Sequence, residues 1–298
     1  MKVAVTGSTG LIGSHLVASL RRDGHHVVAL VRRPPQRPDE IRWDPAAGKL
    51  NPTELEGVEA AVNLAGPGIG DRRWTPAYKA LVRRARVEAT TLLATTLAHL
   101  DRKPSVLLSA SAVGYYGDRG ATPLTEDDGP GTGFLADTCV AWENATQPAV
   151  DADIRVCTLR TGIVLAAEGG ALGKLLPIYR LGFGGPLGSG RQYQSWITLE
   201  DEIAAINFLL TADAVGGPVN VTAPNPVQQK GFAKALGAAL HRPALVPTPG
   251  IAVRAALGEF ATEGVLAGQR ALPERLTEAG FAFRQPTIDA AFAAVIPG

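Results

Sequence analysis

Over the first 160 residues, short apolar runs alternate with stretches in which apolar residues recur every three or four positions. Lys2-Val3-Ala4-Val5 reads as a short buried strand. Ile12, Leu16 and Leu20, at four-residue spacing, place an amphipathic helix directly behind it, from about Gly10 to Asp23. The same reasoning draws strands at His26 to Val31, Ile41 to Trp43, Ala60 to Leu64, Val106 to Ser109 and Ile154 to Leu159. Helices follow at about Pro76 to Leu100 and Leu135 to Asp151. Strand and helix in turn are the pattern of a parallel sheet wound by crossover helices. The expected class is therefore α/β and doubly wound, with a ligand crevice at the strand C-termini.

After Arg160 the alternation breaks, because Gly169-Gly170, Gly182 to Pro186 and Gly188-Ser189-Gly190 interrupt it. A helical stretch at Asp201 to Leu210 and a strand-like Val219-Asn220-Val221 follow. Beyond them Pro243, Pro247, Pro249, Pro273 and Pro286 punctuate short helical segments. The expected organisation is a sheet domain over 1–161, to which 196–221 returns, and a smaller substrate-facing domain from 162–195 and 222–298.

Composition narrows the class further. With 46% hydrophobic and 19% charged residues in 298, the chain reads as globular, and no apolar run is long enough to span a bilayer. The first residues lack the basic, apolar and small-residue succession of a secretory leader, so a cytoplasmic location is expected, without membrane attachment. The formal charge of +1 arises from scattered basic residues without interleaved aromatics, which argues against nucleic acid as a partner. Cys139 and Cys157 are expected to be buried free thiols. The five histidines stand at no metal-ligand spacing, so no metal site is expected. A small molecule is the expected partner, and the chain a monomer or homodimer.

The candidate chemistry begins at residue 7. Gly7-Ser8-Thr9-Gly10-Leu11-Ile12-Gly13 lies between a strand and a helix, with glycines spaced G-x-x-G-x-x-G. Glycines there let the backbone turn sharply and approach a pyrophosphate, while the helix N-terminus offers unpaired N–H groups and partial positive charge. A purely structural turn is the competing reading, and position favours the phosphate site. The fold expected is thus Rossmann-like. In an NAD-specific site an acidic residue about 20 positions on accepts hydrogen bonds from the ribose. Here the second strand ends Val31-Arg32-Arg33, and guanidinium forks suit a 2′-phosphate, so NADP(H) is expected, unless the arginines merely solvate a strand end. At the fourth strand end, Leu64, Ala65 and Gly66 are small enough in aggregate for a dinucleotide to lie against them.

Taken with Leu108-Ser109-Ala110-Ser111 and Arg191 to Asp201, these segments resemble an extended short-chain dehydrogenase/reductase of the NAD(P)-dependent epimerase/dehydratase group. Asp71-Arg72-Arg73-Trp74-Thr75, Ser111 through Gly117, Gln194-Ser195-Trp196-Ile197 and the tail from Gly258-Glu259 through Gly280-Phe281 resemble an epimerase-like subfamily sometimes labelled sugar-nucleotide epimerase. The resemblance implies cofactor contacts at Ser109 and Arg86 as well, and a catalytic Ser/Thr, Tyr and Lys, the last two as Y-x-x-x-K. In that set the serine holds the substrate oxygen, the tyrosine exchanges a proton, and the lysine cation favours its ionised form.

Ser111 stands just beyond the fifth strand, where the serine belongs. The tyrosine and lysine are absent: with Glu143 as the acid that follows the motif, Leu135 and Cys139 take their places. Leucine has no proton to give and a thiol supplies no cation. Tyr115 and Tyr116, four and five residues after Ser111, are the remaining phenols. For the substrate, Arg72, Arg73 and Trp74 precede the long helix, and Arg191 and Trp196 lie in the glycine-rich return. Arginines beside indoles suit an anionic or sugar-bearing ligand, with core packing the alternative for each tryptophan. Two functions stay open: an NADP(H)-dependent oxidoreductase or epimerase with a departed active site, and a non-catalytic NADPH-binding structural or sensory protein.

Overall fold

Val3, Ala4 and Val5 are buried on both sides of the first strand, Lys2–Thr6, because it lies at the centre of an eight-stranded sheet. The computed structural model describes residues 1–296. The sheet runs Gly217–Val221, Arg155–Thr161, Val106–Ala112, Ala60–Asn63, Lys2–Thr6, His26–Val31, Glu40–Asp44, Lys49–Leu50. Val5 pairs in parallel with Ala29 on one side and with Val62 on the other. Strand order therefore reverses at the first strand, which makes its C-terminal end the topological switch point of a Rossmann-like sheet. The edge strand Lys49–Leu50, which periodicity does not reveal, pairs antiparallel with Trp43 and Asp44.

The chain forms two compact units, one of residues 1–111, 138–159 and 203–218, the other of 112–137, 160–202 and from Val219 onward. In the first, Ala4, Leu30, Trp43, Leu93, Leu97 and Leu107 belong to one apolar cluster. Helix Pro76–Ala98 supplies Leu93 and Leu97 to that cluster and starts where its sequence dictates. Thr75 caps it, its hydroxyl accepting from the Tyr78 amide at 3.1 Å, and Pro76 takes the first turn, where no N–H is needed. The helix expected over Leu135 to Asp151 is two, Phe134–Asn144 and Gln147–Val150. Pro148 explains the break, since it has no N–H to give to the Asn144 carbonyl.

In the second unit, Leu172, Leu176, Trp196, Phe232 and Phe292 share a core, with the two phenyl rings edge-to-face at 5.1 Å. The glycine-rich stretch after Arg160 hides a helix, Gly170–Arg180. Its buried Leu172, Leu176 and Tyr179 keep helical spacing although glycines frame it. Ile163–Leu165 and Trp196–Thr198 pair in parallel, and the proline-punctuated tail forms helices Gln229–Ala239, Gly250–Leu257, Glu274–Glu278 and Ile288–Val295. Cys139 and Cys157 are buried, and no disulfide joins them. No helix among the described residues is long and apolar enough to cross a membrane.

Candidate functional site

The glycine segment closes on itself immediately after the first strand. Gly7 adopts φ +65°, a conformation that disfavours side chains, and the Gly10 amide donates to the Gly7 carbonyl at 3.0 Å. Helix Leu11–Arg22 then begins with Gly10 as its N-cap and no side chain capping it, so its first N–H groups are left for a ligand. A Cβ at Gly7 would lie 2.6 Å from the Leu64 oxygen, and one at Gly13 only 2.1 Å from the Gly7 oxygen. A Cβ at Gly10 would meet only the Gly7 oxygen, at 3.3 Å, and otherwise open space. Two glycines thus let the loop fold tightly, and the third keeps its open side bare. Such a cradle with free helix-end amides fits a pyrophosphate.

A buried polar network holds the strand ends beneath that cradle. Thr6 donates to Asn63 Oδ1 at 2.7 Å and accepts from the Leu64 and Ala65 amides at 3.0 and 3.1 Å. Asn63 Nδ2 donates to Thr90 at 2.8 Å and to Ser109 Oγ at 3.1 Å, and Trp142 Nε1 donates to the same Thr90 at 2.9 Å. The Ser109 hydroxyl therefore faces the network beneath the strand ends, and this side chain is committed there. Leu64 and Ala65 are half-buried and Gly66 is exposed.

Arg32, directly after the second strand, is exposed, whereas Arg33 forms a two-pronged ion pair with Glu40. Arg86 reaches from helix Pro76–Ala98 to lie beneath Gly66, where an added Cβ would meet its Cζ at 3.2 Å. Its guanidinium donates to the Val82 and Pro67 carbonyls and sits 4.9 Å from the Trp142 ring centre. Burial pulls the Arg86 pKa down, while the neighbouring Cys139 thiol and Tyr78 phenol oppose that shift.

Ser111 lies inside strand Val106–Ala112 rather than beyond it, and its hydroxyl donates to Glu143 Oε1 at 2.6 Å. The second unit carries the two tyrosines. Tyr116 is fully buried; its hydroxyl lies 2.9 Å from the Thr125 oxygen and 2.8 Å from Asn220 Oδ1, and accepts from Arg160 Nη1 at 3.0 Å. Burial, opposed by Arg160, pushes the Tyr116 phenol up to about 12. That makes it a poor proton carrier at neutral pH. Tyr115 is half-buried, with the Arg160 guanidinium stacked 3.5 Å from its ring centre.

Among the substrate-side residues, Arg72, Arg73 and Arg191 are exposed. Trp74 is buried, and its indole donates to the Ile69 carbonyl at 2.9 Å. Trp196 is also buried and donates to the Asn225 carbonyl at 3.1 Å. Both indoles sit in packing positions, which removes the stacking face a sugar would need. Among the described residues no group of three or more His, Cys, Asp or Glu side chains gathers as a metal centre. Sequence reasoning missed Glu40, Arg160 and Asn220, whose partners lie 7, 44 and 104 residues away. A basic residue ending an apolar strand was the one signal available for Arg160.

Residues 3–222 match the NAD dependent epimerase/dehydratase family, and residues 248–295 match a domain of unknown function, DUF1731. An epimerase family protein of Mycobacterium bovis is 47% identical over 298 residues, covering 99% of this chain and 98% of its own length. The crystal structure of human epimerase family protein SDR39U1 with NADPH is similar at TM-score 0.91 and 34% identity, over 99% of each chain. A nucleoside-diphosphate sugar epimerase from Corynebacterium glutamicum is similar at TM-score 0.82 and 36% identity, over 99% of this chain and 58% of that one.

Proposed function

The chain belongs to the NAD-dependent epimerase/dehydratase family, and from that premise we propose that it is an NADP(H)-dependent oxidoreductase or isomerase of a small, anionic or nucleotide-sugar-like molecule. The observation that carries this reading is the bare glycine cradle followed, at the end of the adjacent strand, by the exposed Arg32. The human relative with NADPH supports the choice of dinucleotide, and the Corynebacterium relative supports the substrate class. On this reading the protein works in the cytoplasm, as a monomer or homodimer and without a metal.

NADP(H), when bound, supplies hydride exchange with a substrate carbon. Residues Gly7 to Gly13 hold its pyrophosphate, with Ser8, Thr9, Leu11 and Ile12 shaping the loop and first helical turn. Arg32 would take the 2′-phosphate, Leu64, Ala65 and Gly66 would flank the dinucleotide, and Arg86, held beneath Gly66, would add a buried cation to that wall. The Ser111 hydroxyl already donates its hydrogen bond to Glu143, so its lone pairs remain to accept from a substrate hydroxyl. Tyr115 exchanges the proton, because Tyr116 is sealed and serves to position Arg160. Arg72 and Arg73 in the first unit are exposed cations suited to an anionic substrate, as is Arg191 in the second, and the two tryptophans pack.

Calorimetric titration with NADPH and NADH tests the first half, with an expected preference for NADPH that Arg32→Ala abolishes. Equal wild-type affinities would refute it. A second reading, a non-catalytic NADPH-binding protein, draws on Leu135 and Cys139 standing where the proton-transfer pair belongs. Fluorescence of bound NADPH, followed while carbonyl compounds and nucleotide sugars are added, separates the two. Substrate-dependent oxidation establishes the enzyme, and Ser111→Ala and Tyr115→Phe must then slow it.

A further inference from the structure

The two arginines after the second strand are treated differently by their surroundings. Arg32 is exposed, and no side chain among the described residues engages it. Arg33 lies with Nη1 2.8 Å from Glu40 Oε2 and Nη2 2.7 Å from Glu40 Oε1, and Nη1 also donates to the Pro34 carbonyl at 3.0 Å. Glu40 Oε2 takes the Gln36 amide as well, at 2.7 Å. The Glu40 side chain is 7% exposed and that of Arg33 40%, so the carboxylate is the enclosed member of the pair.

The surrounding backbone fixes this arrangement. Glu40 opens strand Glu40–Asp44 in register with Ala29, two residues before the end of the second strand. The loop between them, 32–39, contains Pro34, Pro35 and Pro38, and its far end is tied to the first helix by an ion pair of Asp39 with Arg21. The Arg33 fork and the Gln36 amide hold the Glu40 carboxyl down at about 2, so the pair stays ionised throughout the neutral range.

We propose that Glu40 sets cofactor affinity and selectivity: by engaging Arg33 it leaves Arg32 as the one of the two adjacent arginines open to the 2′-phosphate. This rests on the NADP reading above. The carboxylate that takes the adenosine ribose hydroxyls ordinarily stands at the end of the second strand, where this chain has Arg32 and Arg33, and Glu40 lies nearby at the start of the third. Both Glu40 oxygens are instead occupied by arginine and a backbone amide, so Glu40 holds no ribose and does not favour NADH. Its charge also cancels that of Arg33, which bounds the attraction for a phosphate. The outcome is selectivity for NADPH through Arg32, with an attraction for the phosphate below what two open guanidinium groups would give.

Binding of NADPH and NADH to the full chain, by nicotinamide fluorescence and calorimetry, tests this without any substrate. Arg32→Ala should weaken NADPH by about tenfold or more and leave NADH unchanged. Arg33→Ala leaves the Glu40 carboxylate uncompensated and should weaken NADPH by about threefold, less than Arg32→Ala does, whereas the Glu40→Gln, Arg33→Ala double variant, in which both charges are gone, should bind NADPH within about twofold of wild type. Glu40→Gln keeps an acceptor for the Gln36 amide and frees Arg33, so NADPH should tighten by about threefold to tenfold and dissociate more slowly in stopped flow. The gain should shrink in high salt and vanish in the Glu40→Gln, Arg33→Ala double variant. Arg33→Ala weakening NADPH as much as Arg32→Ala overturns the proposal, as does a Glu40→Gln protein of wild-type melting temperature that binds NADPH no more tightly. Should Glu40→Gln melt early, Arg33→Ala alone decides. Failure of the NADP reading looks different: wild type binds NADPH and NADH equally and Arg32→Ala changes neither.

Discussion

A single methyl group at position 13 tests how the cofactor loop is built. Gly13 is the third residue of helix Leu11–Arg22, and an alanine Cβ there would lie 2.1 Å from the Gly7 oxygen, 2.8 Å from its carbon and 3.0 Å from Ser8 Cα. All three are backbone atoms, so no side-chain rotation relieves the clash, and the loop must move by about 1 Å or more to reach ordinary contact. Helix propensity pulls the other way, favouring alanine over glycine by at most about 1 kcal/mol. Overpacking of this kind costs about 1–3 kcal/mol, so Gly13→Ala should be destabilised by roughly 1–2 kcal/mol. Its Tm should fall by several degrees, at about 2–4 °C per kcal/mol. Because the shifted atoms belong to the loop itself, NADPH binding should weaken by about tenfold or more. Gly10→Ala is the control. Its Cβ meets one atom, at 3.3 Å, and φ −76° suits alanine, so stability should hold while the methyl intrudes on the open side and weakens NADPH. Calorimetric melting and NADPH titration of both variants provide the check. A Gly13→Ala protein that melts with wild type and binds NADPH equally would refute the packing argument.

Further expectations concern buried polar groups. Asn63→Ala strands the Thr6 hydroxyl and removes donors to Thr90 and Ser109, so urea unfolding should show a loss of about 2–3 kcal/mol; an unchanged midpoint would contradict it. Glu202 is fully buried with Oε2 unpartnered, and burial raises its carboxyl from 4.5 to about 8. Below the unfolded value both states hold the proton; between 4.5 and about 8 only the unfolded state releases it, so stability falls as pH rises, at ~1.4 kcal/mol per pH unit at most. Glu202→Gln should accordingly gain stability over wild type at pH 8 more than at pH 5, and a pH-independent difference in urea midpoints would speak against this. Tyr116→Phe leaves Asn220 and Arg160 short of a buried partner and should cost about 1–3 kcal/mol by the same assay, without changing NADPH affinity.

Periodicity and local chemistry made the sheet, the long helix and the glycine loop legible, because each depends on residues close together in sequence. Val3, Ala4 and Val5 are apolar whatever surrounds them, and glycines at 7, 10 and 13 permit a turn that other residues resist. Glycine signals also misled, hiding helix Gly170–Arg180, whose apolar face keeps helical spacing beneath them. Side-chain commitments were not legible. Arg32 and Arg33 are the same residue in adjacent places, yet a carboxylate seven positions on engages only the second. Tyr115 and Tyr116 are likewise neighbours, but Asn220, brought across 104 residues, seals only Tyr116. Local sequence determined which groups this chain carries and where its backbone can turn. Which of those groups remain available for chemistry was decided by tertiary structure, since a buried donor or acceptor must find its partner wherever the fold brings one.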